Sequence, residues 1–303
     1  MQSPFRTDHR PTYGRPEAIS PLCQVVTAAN AGPMTFTGTR SYLVGGDELA
    51  IIDPGPDDPA HFKALTAAVD GRRVAAVLVT HAHVDHSQVA RRIGAALSAP
   101  VLGFGPMPAP DLPPAFRSAA LGGGEGIDAG FHPDERLADG DVVTVDGLTV
   151  TALHTPGHLA DHLSFDCPDA GLLFSGDVVM GWASTMVSPP QGGLTAFLQA
   201  LDRLEPLADR RFCPGHGAPV DDPGAVIRYL RAHRAARTVD ILDALAEGPK
   251  TVPELTQAIY TDVPVTLLPA AERNVLAHVI ALVEAGQAHV GATYSPRSKI
   301  ELL

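Results

Sequence analysis

The chain predicts an α+β fold, a mixed domain of strands and helices followed by a small C-terminal module. Two observations carry this. Apolar segments rich in β-branched residues alternate with helical patterns over most of the chain, and from about Ala235 the pattern turns to helices alone. With 303 residues, 45% of them hydrophobic, there is enough apolar material for one large core and one small one. The boundary is placed between 1–232 and 233–303.

The first residues, "MQSPFRTDHRPTYGRPEAISPLC", carry prolines and charges where a signal peptide needs an apolar core. No later stretch is expected to approach the length of a membrane span, so the expectation is a soluble, cytoplasmic protein without membrane contact. Cys23, Cys167 and Cys213 are odd in number and far apart, which suits a reducing compartment and buried free thiols. "SYLVGG", "ELAIIDPGP", "VAAVLVT", "VVTVDGLTVTALH", "HLSFDCPDAGLLFSGD" and "RRFCPGHG" read as strands, with hairpin chemistry at Asp146-Gly147 and Asp169-Ala170-Gly171. Helices are expected at 58–70, 87–98 and 194–205. The stretch 103–133 is rich in Pro and Gly and reads as a loop, with a substrate lid as the alternative; its Gly122–Gly124 run lacks the context of a phosphate cradle.

In the C-terminal module, "RTVDILDALAEG", "TVPELTQAIY" with its Thr cap and Pro, and "AAERNVLAHVIALVEAG" read as three short helices. The strand-like "QAHVGATY" after them suggests a winged-helix-like module, counted as essentially all-helical. Its third helix offers Arg273 against Glu272 and Glu284, and residues 233–303 hold six basic side chains against eight acidic ones. That favours packing, a lid or a homodimer contact over nucleic acid. The whole chain, at a net charge of −12, has no footprint for duplex DNA, and small-molecule substrates are favoured.

"THAHVDH" at 80–86 follows the apolar run 74–79. His81 and His83 face one way in an extended segment, whereas Asp85 and His86 share a centre with them only if the chain turns. Ser87 is expected to cap the helix that begins there. Imidazole and carboxylate suit zinc, and also iron or manganese. His158 in "LHTPGH", Asp177 in "LLFSGD" and His216 in "FCPGHG" stand at the ends of other apolar segments, each bracketed by Gly or Pro.

"THAHVDH", "TPGH", "SGD" and "PGHG", in that order, resemble the metallo-β-lactamase superfamily. The likeness starts at about Thr27 and includes "GTRSYLVGGDELAIIDPGP", "HTPGHLADHLSF", "GDVVMGWASTMV" and "RYLRAHRAARTVDIL". It runs into the terminal helices, where it is greatest to the β-lactamase-like protein 2 group. The resemblance implies an αββα sandwich with two divalent metal ions at the sheet edges. His81, His83 and His158 would hold one ion, Asp85, His86 and His216 the other, and Asp177 would bridge them. His154 and His162 become candidates for holding the ligands in place, while His9, His61, His132, His233, His278 and His289 belong to no motif.

Two such ions about 3.5–4 Å apart share a water and bring its pKa toward neutrality, giving a hydroxide nucleophile. Asp85 and Asp177 are the expected catalytic carboxylates, with Asp85 orienting the hydroxide or taking up a proton. Cys213, in "RRFC", reads as a buried strand residue rather than a nucleophile. A small ester or thioester is the expected substrate, because a thiolate leaves without a dedicated acid. Counterparts of the basic glutathione-binding residues of glyoxalase II are missing from 233–303. Single-stranded RNA is the runner-up, for which Trp182 could stack a base or otherwise form an acyl wall. A non-enzymatic regulatory module leaves the seven ordered residues unexplained.

Overall fold

A computed structural model describes residues 3–303 of the chain. Its strands and helices follow in the order β1 Pro16–Ser20, β2 Cys23–Thr27, β3 Arg40–Val44, β4 Glu48–Ile52, α1 Pro59–Val69, β5 Arg73–Leu78, α2 Val84–Ser87 and α3 Ala90–Leu97. Next come β6 Val101–Gly103, α4 Pro114–Arg117, β7 Glu135–Arg136, β8 Val142–Val145, β9 Leu148–His154, β10 Leu163–Cys167 and β11 Leu172–Gly176. The chain closes with α5 Leu194–Leu204, β12 Arg211–Pro214, α6 Pro223–Ala246, α7 Val252–Ile259, α8 Leu268–Glu284, β13 Ala288–Val290 and β14 Ile300–Leu302.

Alternation along each strand builds four layers. In β4, Ala50 and Ile52 point to one core while Leu49 and Ile51 point to another. The seven-stranded sheet runs β1-β2-β3-β4-β5-β6-β7 and the five-stranded sheet runs β12-β11-β10-β9-β8. Between them lie Val25, Tyr42, Ile52 and Leu78 from the first sheet and Val150, Phe165, Phe174 and Cys213 from the second. Helices α1 and α3 cover the outer face of the first sheet through Leu65 and Ile93. Phe197 and Leu201 of α5 and Ile227 and Leu230 of α6 cover the second. The result is the helix-sheet-sheet-helix sandwich that the motif order implied.

Several expectations change. Helix α6 runs unbroken through the expected boundary at 232/233, because Ile227 and Leu230 serve the large domain while Ile241 and Leu245 serve the small one. The terminal module is not all-helical: β13 and β14 pair antiparallel as a wing, with Val290 and Ile300 facing its core and His289 and Glu301 facing out. Ser87 does not cap α3. It ends the single turn α2, and its hydroxyl donates to His83 O at 2.9 Å and Asp128 Oδ2 at 3.0 Å. The Thr251 cap of α7 is present, with Glu254 completing a capping box. Residues 103–133 are irregular apart from β6, which ends at Gly103, and the short α4. One stretch, Val265–Glu284, does reach the length and hydropathy of a membrane span. Its Val275, Leu276, Val279, Ile280 and Leu282 form the core of the terminal module.

Candidate metal centre

The seven candidate side chains come from four places where a strand runs out. His81, His83, Asp85 and His86 follow β5 and lead into α2, His158 lies between β9 and β10, Asp177 follows β11, and His216 follows β12. Glycine lets the chain crowd in here. A Cβ on Gly215 would sit 2.4 Å from Asp177 Oδ1 and 2.5 Å from His86 Cε1. Gly176, at φ +48°, would press on His162 Nε2 at 2.4 Å.

All seven converge. His83 Nδ1 lies 2.9 Å from His81 Nε2 and 3.0 Å from His158 Nε2. Asp85 Oδ2 lies 3.5 Å from His86 Nε2 and 3.3 Å from His216 Nε2, and those two nitrogens are 3.4 Å apart. Between the trios stands Asp177, whose Oδ2 is 3.7 Å from His158 Nε2, 3.7 Å from His86 Nε2 and 3.4 Å from His216 Nε2. One carboxylate oxygen therefore addresses both trios.

The outer nitrogen of each ring decides what the inner one can do. His158 Nδ1 donates to Met186 O at 2.9 Å, His216 Nδ1 to Gly38 O at 3.3 Å and His86 Nδ1 to Asp53 Oδ2 at 2.8 Å. Thr80 Oγ1 gives its hydrogen to Asp53 Oδ2 at 2.8 Å, so it accepts from His81 Nδ1 at 2.9 Å. In a neutral imidazole the second nitrogen is then a bare lone pair. The inner nitrogens of all four rings point into the cluster, where each can offer its lone pair to a cation. That donor chemistry fits divalent metal ions held by imidazole and carboxylate.

The electrostatics agree. Burial, reinforced by the neighbouring histidines, pushes His81 well below its ordinary range; His83 falls to about 3 and His158 is also lowered. These three stay neutral. On the other side burial works against charge, yet Asp85, Asp53 and Asp177 outweigh it and raise His86 to about 9. His216 is likewise driven up by Asp177 and Asp85 against burial. The carboxyls of Asp85 and Asp177, which burial alone would raise, are held below the usual range by His86 and His216. This half of the cluster calls for positive charge.

Other residues support the cluster. His162 accepts the Asp177 backbone N–H at Nε2, 3.1 Å away, so it holds the bridging residue. His154 turns away, bonding Ala160 O and stacking on Phe104. Asp53, Thr39 and Asp161 escaped the sequence reading. Asp53 also accepts from Thr80 N at 2.8 Å, Thr39 Oγ1 donates to Asp85 Oδ2 at 2.9 Å, and Asp161 Oδ2 accepts from Ala82 N, between two candidate ligands, at 3.0 Å. Burial lifts the Asp161 carboxyl to about 7. Asp53 had a signal: it directly follows β4 and precedes Pro-Gly-Pro, as Asp177 directly follows β11. Among the unmatched histidines, buried His61 bonds Ser41 and Pro54 O, while half-buried His9 bonds Thr37 and Arg40. All three cysteines are free and buried, and burial raises Cys213 to about 12.

A cavity of about 520 Å³ opens over Asp85, His158, Asp177 and His216. Met34, Met180, Trp182 and Met186 make its walls apolar, and Leu267, Ala270 and Asn274 from the C-terminal module close one side. Trp182 is stacked on Phe36 at 4.8 Å, so its ring is fixed as wall. A second cavity of about 300 Å³ shares Met34, His83, Glu125, His158, Met186 and Ala270 with the first. Gly124, Glu125 and Gly126 line this paired space, which places the 103–133 segment at its edge.

Known proteins share this plan. Residues 34–216 match the family model described as the metallo-beta-lactamase superfamily, and residues 251–293 match the beta-lactamase associated winged helix domain. A beta-lactamase-like protein 2 homolog of Drosophila melanogaster is 29% identical over 276 residues, 88% of this chain and 89% of that protein. An atrochrysone carboxyl ACP thioesterase of Aspergillus fumigatus is 29% identical over 267 residues, 82% of this chain and 76% of that one. In structure, a beta-lactamase domain protein from Burkholderia ambifaria superposes with a TM-score of 0.80 at 21% identity, covering 98% of this chain and 96% of its own. A family model that spans more than half of the sequence turns the resemblance of its motifs into membership: the chain belongs to the metallo-beta-lactamase superfamily.

Proposed function

We propose that this protein is a metal-dependent hydrolase of small esters or thioesters. The observation that carries the reading is the apolar cavity directly over the cluster, which no lysine or arginine lines among the described residues. Arg273 borders the adjoining cavity, but its guanidinium bonds inward to Leu121 O, Gly122 O and Ser188 Oγ. An extended polyanion finds little there to neutralise its phosphates. The thioesterase among the relatives points to the same substrate class.

His81, His83, His158, Asp85, His86, His216 and Asp177 would hold two divalent ions, with zinc the first choice on donor type. When bound, such ions acidify a shared water toward neutrality and polarise the carbonyl under attack. The chain's own residues do the rest. Thr39 fixes the rotation of Asp85 by donating to one oxygen, and the Asp85 side chain, 20% exposed, faces the cavity as the acceptor for a proton from the attacking water. Met180, Trp182 and Met186 exclude solvent and pack the acyl portion. Water's oxygen joins the acyl carbon, the carbon–sulfur bond breaks, and the thiolate leaves without needing a proton in the same step.

The test is a panel of acyl thioesters, aryl esters, lactones and labelled single-stranded RNA on zinc-reconstituted protein, with His81→Ala/His83→Ala as control. Turnover of an acyl compound that the double variant abolishes is the expected result. RNA cleavage lost in the variant, with no metal-dependent acyl turnover, sinks the acyl reading in favour of a nuclease.

A further inference from the structure

The loop after β11 passes over the cluster and beneath two C-terminal helices. Its Met186 carbonyl accepts the Nδ1 hydrogen of His158 at 2.9 Å. The residues on either side of Met186 are held from outside the large domain's sheets. Thr185 O accepts from the Arg234 guanidinium of α6, and Val187 N donates to Asn274 Oδ1 of α8 at 3.2 Å. Arg234 Nη1 donates to the same Asn274 oxygen at 2.9 Å, which joins the two anchors into one node. The Asn274 amide returns to Ala270 O at 3.2 Å, fixing its rotation. On the inner side, Thr185 Oγ1 donates to Asp177 O at 2.8 Å. Thr185 and Val187 are fully buried and Arg234 is 2% exposed.

A guanidinium is a costly choice for that position. Among the described residues no carboxylate forms an ion pair with Arg234, and burial lowers it to about 10. A methionine or leucine would fill the space without the desolvation penalty. What arginine adds is a rigid planar fork that donates in two directions at once, here to a loop carbonyl and to a side-chain amide. The residue type makes sense as a template for the loop.

We infer that Arg234 and Asn274 are positioning residues: from the C-terminal helices they fix both neighbours of Met186, and through its carbonyl they set the ring of His158 toward a divalent metal ion. The C-terminal module is thereby part of the metal site's construction as well as a wall of its cavity.

Zinc affinity of the full chain, measured by competition with a chromophoric chelator, tests this without any substrate; absorption of the Co(II)-loaded protein gives a second reading. Asn274→Leu keeps the volume and removes the acceptor. It is expected to weaken one zinc equivalent about 10–100-fold and leave the other within about twofold, the scale seen when a partner of a ligating histidine is lost. Asn274→Asp keeps the acceptor oxygen but loses the donor to Ala270 O, and is expected to lose less affinity than Asn274→Leu. Should Asn274→Leu fail to fold, Arg234→Lys, which retains the charge without the fork, is expected to show the same selective loss. Folded variants with both affinities unchanged overturn the inference, as does equal loss of both equivalents alongside a fall in melting temperature. A parent protein that takes up no zinc overturns it together with the metal reading, whereas normal uptake with indifferent variants overturns it alone.

Discussion

Asp177 has its Oδ2 within reach of histidines from both trios, while His216 reaches only one of them. Removing a ligand from one trio differs, therefore, from removing the group they share. Asp177→Ala is expected to deplete both metal equivalents, and His216→Ala mainly one; zinc occupancy in soaked crystals reports this, and equal loss at both positions in His216→Ala would count against the division. Four of the cluster residues were legible as one dense run behind an apolar strand, and His158, Asp177 and His216 because each stands beside glycine after an apolar segment, with the family resemblance choosing His158 over its neighbouring histidines. Thr39 and Arg234 were not. Thr39 meets Asp85 across 46 positions of chain, and Arg234 acts on a backbone carbonyl, which has no sequence signature. Asp53 lay in between, with a visible strand-end position but a partner, His86, 33 residues away.

Among elements, the long periodic ones were readable and the short ones were not. Strands β6 and β7, at three and two residues, are too brief to show alternation, and α2 is a single turn that takes Ser87 away from its expected capping role. Helix α8 contains a titratable residue that tests its packing. His278 is fully buried between α8 and α6, bonded to Thr238, and burial lowers it to about 3 from an unfolded value of 6.5. Above pH 6.5 neither state takes the proton. Below that the unfolded chain binds one and the folded chain does not, so stability falls by about 1.4 kcal/mol per pH unit until the folded value is reached. At pH 5 the loss is about 2 kcal/mol. His278→Leu is expected to flatten the slope of melting temperature between pH 7 and 5 relative to the parent; identical slopes would show that the ring is solvated. The capping box of α7 makes a smaller claim, since Thr251→Ala should cost about 1 kcal/mol in denaturant melts.

For the molecule as a whole, cations held between the sheet ends would bind the folded state alone. At a free concentration a hundredfold above Kd, each contributes about 2.7 kcal/mol, or about 4 °C of melting temperature for a chain of this size. Stripping with a strong chelator should lower the melting temperature by that order, and zinc should restore it; a chelator-insensitive melt would mean that the cluster holds no ion. One feature of the architecture bears on how anything reaches that cluster. Helix α6, 24 residues and about 36 Å long, belongs to both modules without a break. It is a strut, and a strut shared by two bodies leaves no joint at which they could swing apart. Leu267 and Ala270 of the C-terminal module stand on one side of the cavity, and Glu125 and Gly126 of the 103–133 segment also line it. The same module also reaches the glycine run, since Arg273 of α8 holds Leu121 O and Gly122 O, so one scaffold shapes both edges of the opening.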